Sequence, residues 1–150
     1  MSRGPTDPNH ARREFAARYA SLEATAAFAH AFCDERGFER EVALRLALIV
    51  EELLSNTIQH GLGGESDDAV VIALSASGPE LVLLYEDGAP PFDPLARRAR
   101  ATGAIDGPLE GRPLGGLGLR ILDGFAAAAR YAREGDRNRL WVTLRRTGDA

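Results

Sequence analysis

The chain has 150 residues and 45% hydrophobic content, enough for one compact domain with a continuous core and too little for two. Its 22 acidic and 18 basic residues leave a formal charge of -4 spread along the sequence, so it lacks the basic field that holds a nucleic-acid backbone, and no direct DNA or RNA partner is expected. Cys33 is the only cysteine, which excludes an intramolecular disulfide or a cysteine-based zinc site within one chain and fits a reducing cytoplasm.

Residues 1–12, MSRGPTDPNHAR, are polar and rich in Pro and Gly. They read as a flexible tail and not as a secretory signal, with the domain expected over 13–150. No apolar run approaches the roughly 20 residues of a membrane helix, so a soluble protein is expected. Glu14 to Ala17 is a candidate edge strand. Ser21 is a candidate N-cap for a helix with the stripe Leu22, Ala26, Ala29 and Phe32, ending near Gly37. A second helix is predicted from about Glu39 to His60, stopped by Gly61; it is nearly apolar all round and is expected to be buried.

Ala69 to Ala76 and Leu81 to Glu86 read as an antiparallel hairpin around Ser77-Gly78-Pro79. Residues 87–115 mix Asp, Pro, Gly and Arg over a stretch too long for an ordinary connection, which marks a functional loop or lid; Arg97, Arg98, Arg100 and Arg112 make it basic. A third helix is predicted from Leu117 to about Ala129. Arg130 to Arg133 and Leu140 to Arg145 then read as strands joined by a turn over Glu134 to Arg139. The element order predicts an α+β, two-layer sandwich: one mainly antiparallel, mixed sheet covered by helices on one face.

Three places carry candidate chemistry. In VEELLSNTIQHG, Glu52, Asn56 and His60 are four apart and share one side of the second helix. That side is either a solvated face or a working pair: an Asn oxygen is a neutral ligand for Mg, and a Glu accepts a proton. Glu51 is rotated about 100° away and reads as a surface charge, while His60 beside Gly61 has the simpler reading of capping the last carbonyls. Asp87-Gly88 follows a strand. It is either an ordinary turn or a carboxylate placed to accept from an exocyclic amine such as that of adenine, with Gly88 letting a flat ring approach the backbone. Gly115-Gly116-Leu117-Gly118-Leu119 precedes a helix, where exposed N–H groups suit phosphate; it has neither the dinucleotide nor the Walker pattern.

The order of these motifs resembles the N box and the two glycine boxes of the gyrase, heat-shock chaperone, histidine kinase and MutL superfamily of ATP-binding domains. The usual Asp-x-Gly reads Asp87-Gly88-Ala89 here. The finer resemblance is to anti-sigma serine kinases, through FAARYASLEATAAFAHAFCDERG, LALIVEELLSNTIQHG, EDGAPPFDP, GGLGLRIL and YAREGDRNRLWVTL, which cover nearly the whole chain after the tail. It implies a Bergerat-type fold with ATP and Mg as cofactors. Glu52 would be the base for a protein serine hydroxyl, Asn56 the Mg ligand, and Asp87 with Gly88 the adenine site. Gly115, Gly116, Leu117, Gly118 and Leu119 would contact the triphosphate, with Arg112 in a shortened lid over 93–114. The implied partners are a sigma factor and an anti-sigma antagonist, with a homodimer as the acting form, and no membrane is involved. A non-catalytic nucleotide switch and a detached ATPase module are the alternatives.

Overall fold

The computed structural model describes residues 8–95 and 126–146. Along the chain it contains β1 (His10–Ala16), a short 3-10 turn at Tyr19–Ser21, α1 (Leu22–Glu35), α2 (Arg40–Asn56) running into a π turn at Thr57–Gly61, β2 (Ala69–Ser77), β3 (Glu80–Asp87), β4 (Ala128–Glu134) and β5 (Arg137–Arg145). The strands form one sheet in the order β1-β2-β3-β5-β4. All four pairings are antiparallel, so the described sheet contains no parallel pair. The chain is an α+β protein of two layers, as its pattern predicts.

Period-two alternation fixes the layers. Leu81, Leu83 and Tyr85 of β3, and Leu140, Val142 and Leu144 of β5, are buried together with Val70, Ile72 and Leu74 of β2. Each buried aliphatic side chain contributes about 1.5–3 kcal/mol. They share one cluster with Ala29, Phe32 and Cys33 of α1 and Val42, Leu46, Ile49, Val50, Leu53 and Leu54 of α2. The register continues to Asp87 opposite Asn138, so the last inward positions of β3 and β5 are polar.

The helices depart from the predicted pattern in instructive ways. The buried stripe of α1 is Thr25, Ala29, Phe32 and Cys33, with Leu22 and Ala26 only half-buried. Thr25 enters the interior because its hydroxyl donates to the Leu22 carbonyl at 2.9 Å. Ser21 occupies the N-cap position but forms no capping hydrogen bond, since it is already held in the preceding 3-10 turn. At the other end Gly37, at φ +71, closes a Schellman motif. There Phe38 N donates to Cys33 O at 2.9 Å and Gly37 N to Asp34 O at 3.3 Å. The second helix is not buried all round: Leu44 and Leu48 are 46% and 44% exposed.

β1 begins at His10, inside the segment read as a tail. The β2–β3 hairpin turns on Gly78-Pro79 alone, with Ser77 paired to Glu80 and Gly78 at φ +57, as a type II′ turn ahead of proline requires. Ala128 and Ala129, read as the end of a helix, belong to β4 and pair with Thr143 and Val142. Their helix propensity yields to the ladder that β5 offers. The β4–β5 turn is also tighter than predicted, with Glu134 paired to Arg137.

Candidate functional site

The polar ends of β3 and β5 meet the C-terminal end of α2 in a half-open cleft. Its lining includes Leu53, Asn56, Thr57 and Gly61 from α2 and the π turn, Tyr85 and Asp87 from β3, and Ala89, Phe92 and Pro94 from the segment that follows. Tyr131, Asn138 and Leu140 complete it from β4 and β5. The cleft walls border about 420 Å3 of space, part of it open solvent.

The π turn explains how α2 reaches this place. Leu62 N donates to Thr57 O at 2.7 Å, an i to i+5 bond that widens the last turn. Such turns often occur at functional sites. Here it brings the Thr57 hydroxyl to Asp87 and sets Gly61 against Ala89, where a Cβ on residue 61 would lie 2.8 Å from the Ala89 Cβ.

Asp87 is only 9% exposed, and among the described residues each hydrogen-bond partner of its carboxylate is a donor. Thr57 Oγ1 donates to Oδ2 at 2.8 Å, while Asn138 Nδ2 and the Ala89 N–H donate to Oδ1 at 2.8 and 3.2 Å. Asn138, 8% exposed, ties the site together. Its amide nitrogen also faces the carbonyls of Ala89 and Pro90 at 3.2 and 3.0 Å. Its oxygen accepts from the Tyr131 hydroxyl, from Arg133 at 3.2 Å and from the Phe92 N–H at 3.2 Å. A second Arg133 bond, 2.7 Å to Ala89 O, clamps the start of the following segment. Beneath Asp87 lies Tyr85, its hydroxyl 2.7 Å from Thr57 Oγ1. Burial pushes the Tyr85 phenol well above its ordinary range, the Thr57 bond opposes this, and the Asp87 charge adds to it.

Of the residues singled out by sequence, Asn56 and Asp87 line the same cleft. Glu52 is half-buried one helical turn before Asn56 and does not line it. Gly88 is exposed, and a Cβ there would meet Arg137 at 3.2 Å; the residue turned to the cleft is Ala89, which is 1% exposed. The β3 alternation continues past Asp87, so positions 87 and 89 face inward and 88 faces out. His60 is exposed beside Gly61. Arg112, Gly115, Gly116, Leu117, Gly118 and Leu119 lie outside the described residues, as does the predicted lid from residue 96 onward.

Sequence reasoning missed Thr57, Tyr85, Tyr131 and Asn138. The signal for Asn138 was present, because it alternates in phase with Leu140, Val142 and Leu144 and is therefore a polar residue at an inward strand position.

Residues 15–144 match the family described as the histidine kinase-like ATPase domain. The chain belongs to that family. This histidine kinase-like ATPase domain has a nucleotide-binding fold, and ATP binding follows from its membership. No curated protein matches the sequence. Among solved structures it is similar to a chain of the SiaB-SiaC complex from Pseudomonas aeruginosa, with TM-score 0.54 and 13% identity over 89% of this chain and 88% of that one. It is also similar to the histidine kinase domain of a blue-light activated histidine kinase from Erythrobacter litoralis, with TM-score 0.52 and 22% identity over 85% of this chain. The ATPase domain spans 60% of that kinase chain. At these identities the likeness is one of fold. Among the described residues no helix is long and apolar enough to cross a membrane.

Proposed function

We propose that this ATPase domain is an ATP- and Mg-dependent serine-protein kinase that also sequesters a partner protein. By resemblance it would hold a sigma factor, phosphorylate an anti-sigma antagonist, and act as a cytoplasmic homodimer. The observation that carries the reading is the buried Asp87 carboxylate, supported among the described residues by donors, in the same cleft as Asn56. An acceptor-only group at the end of a cleft suits a ligand edge that donates, as the amine of adenine does. Ala89, Phe92 and Tyr131 supply apolar surface beside it for a flat ring.

The donor set also suits Mg. Among the described residues no group of three His, Cys, Asp or Glu is placed to cage a metal. Magnesium does not need such a cage, because it takes one or two protein oxygens and completes its shell with phosphates and water. Asn56 would provide the protein oxygen. Bound Mg-ATP supplies the transferable phosphoryl group, with the metal offsetting its charge. The chain's own part is positioning: Asp87 fixes one end of the nucleotide, Asn56 the other, and Glu52, one turn earlier on the same side of α2, accepts the proton of the incoming serine hydroxyl. The N–H groups of residues 115–119 and Arg112 are assigned to the phosphates.

Similarity to a chain crystallised with a protein partner, the SiaB-SiaC complex, supports partner binding. The second reading is a non-catalytic switch, favoured by the position of Glu52 outside the cleft lining. Labelled ATP incubated with the purified chain and a soluble extract of its native cell separates them. The kinase reading expects label on a protein serine, abolished by Asn56→Ala and lowered roughly 10²-fold or more by Glu52→Gln. Free phosphate without labelled protein would mean an ATPase module, and unchanged ATP would mean the switch.

A further inference from the structure

The hydrogen-bond directions around Asp87 are fixed by proton counting. An ionised carboxylate has about four acceptor positions and no donor. Among the described residues, two on Oδ1 are taken by Asn138 Nδ2 and the Ala89 N–H, and one on Oδ2 by Thr57 Oγ1, which leaves one on Oδ2. The Thr57 hydroxyl has one proton and three oxygen neighbours: Leu53 O at 3.0 Å, Asp87 Oδ2 at 2.8 Å and the Tyr85 hydroxyl at 2.7 Å. If that proton went to Leu53 O, two bare lone pairs would face each other across 2.8 Å. It therefore goes to Asp87, and Tyr85 must donate to Thr57. The result is a one-way chain from the Tyr85 phenol through the Thr57 hydroxyl into Oδ2. All three residues are buried, with Tyr85 only 4% and Thr57 4% exposed, so the chain is not freely exchanged for water.

We propose that Thr57 and Tyr85 are positioning residues that set the base preference of the cleft, by holding Asp87 so that a single acceptor direction remains for a ligand. One acceptor direction accommodates the 6-amino group of a purine and opposes a 6-oxo group, which would bring oxygen against oxygen with no proton between them. Removing the Thr57 hydroxyl frees a second position on Oδ2, where a water molecule can settle and turn either a proton or a lone pair to the ligand. The carboxylate then tolerates both purines. This inference rests on the reading of Asp87 as the base-contacting group; it adds which residues make that contact selective.

The test is titration calorimetry of the full chain with Mg-ATP and with Mg-ITP, the 6-oxo counterpart, in wild type, Thr57→Ser, Thr57→Val, Tyr85→Phe and the double variant Thr57→Val/Tyr85→Phe. The readout is the ratio of the two affinities, which a general loss of stability does not move. Wild type is expected to favour ATP by at least tenfold, Thr57→Ser to keep that ratio, and Thr57→Val to lower it roughly tenfold, the scale of one charge-assisted bond. Tyr85→Phe, which removes only the polarising donor, should lower it about threefold. The double variant leaves no orphaned phenol, so it reports the lowered ratio even if Thr57→Val alone does not fold. A wild type without preference would overturn the Asp87 reading itself. A preference that survives in the double variant, or one lost in Thr57→Ser, would overturn the positioning role while leaving Asp87 in place.

Discussion

Replacing Asn138 by alanine is the sharpest structural perturbation of the cleft. The substitution removes the amide that donates to the Asp87 carboxylate and to the carbonyls of Ala89 and Pro90, and the oxygen that accepts from Tyr131, Arg133 and Phe92 N. The bond to the charged carboxylate is buried at both ends and is worth about 1.5–3 kcal/mol. Water can reach part of the remainder, because Phe92, Tyr131 and Arg133 are half-exposed. Those groups should add about 1 kcal/mol together, for a loss of about 2.5–4 kcal/mol from a domain whose whole stability is of the order of 5–15 kcal/mol. For a chain of this length that corresponds to a fall in Tm of about 10 °C. Urea titration with an unchanged slope, alongside a thermal melt, measures it. A loss below about 1 kcal/mol would refute Asn138 as the residue that holds the ends of β3 and β5 together.

Two further outcomes follow from close packing and burial. Gly61→Ala places a methyl 2.8 Å from the Ala89 Cβ, so it should cost about 1–3 kcal/mol and weaken nucleotide binding, and adding Ala89→Gly should restore both; a single variant as stable as wild type would contradict the contact. Desolvation pushes the Cys33 thiol up to about 11 from its ordinary 9.0, so its contribution to stability is whole below pH 9 and is lost as pH rises from 9 through 11. Native Cys33 should accordingly resist alkylation at pH 8 until the chain unfolds in denaturant, and rapid labelling of the folded protein would place the thiol outside the core.

The parts of the fold legible from the chain are those where one interaction dominates. The β2–β3 hairpin shows itself through strict alternation and a Gly-Pro turn, and the end of α1 through Gly37, where the backbone needs a positive φ. The start of β4 was hidden because Ala128 and Ala129 have helix propensity of their own and become strand only by pairing with β5. Spacing along α2 aligned Glu52 with Asn56, and resemblance joined Asn56 to Asp87. Neither distinguished the cleft-lining Asn56 from Glu52 outside it, because a helix face says nothing of where a neighbouring strand ends. Thr57 was invisible for a related reason: its role depends on the π turn, which is a tertiary adjustment with no period in the sequence. Ala89 was read as a departure from a glycine pattern. Its environment shows the compensating residue, Gly61, which is 28 positions earlier in the chain and adjacent only in the fold.

On this reading the cleft between the end of α2 and the ends of β3 and β5 binds ATP through Asp87. Titration calorimetry of the purified chain with Mg-ATP, repeated on Asp87→Asn with circular dichroism to verify that it is folded, tests it most directly. Wild type is expected to bind saturably below millimolar ATP, and the folded variant to lose tenfold or more in affinity, the scale of a charge-assisted bond to a buried carboxylate. Absence of binding by wild type at millimolar ATP, or equal affinity in wild type and Asp87→Asn, would contradict it.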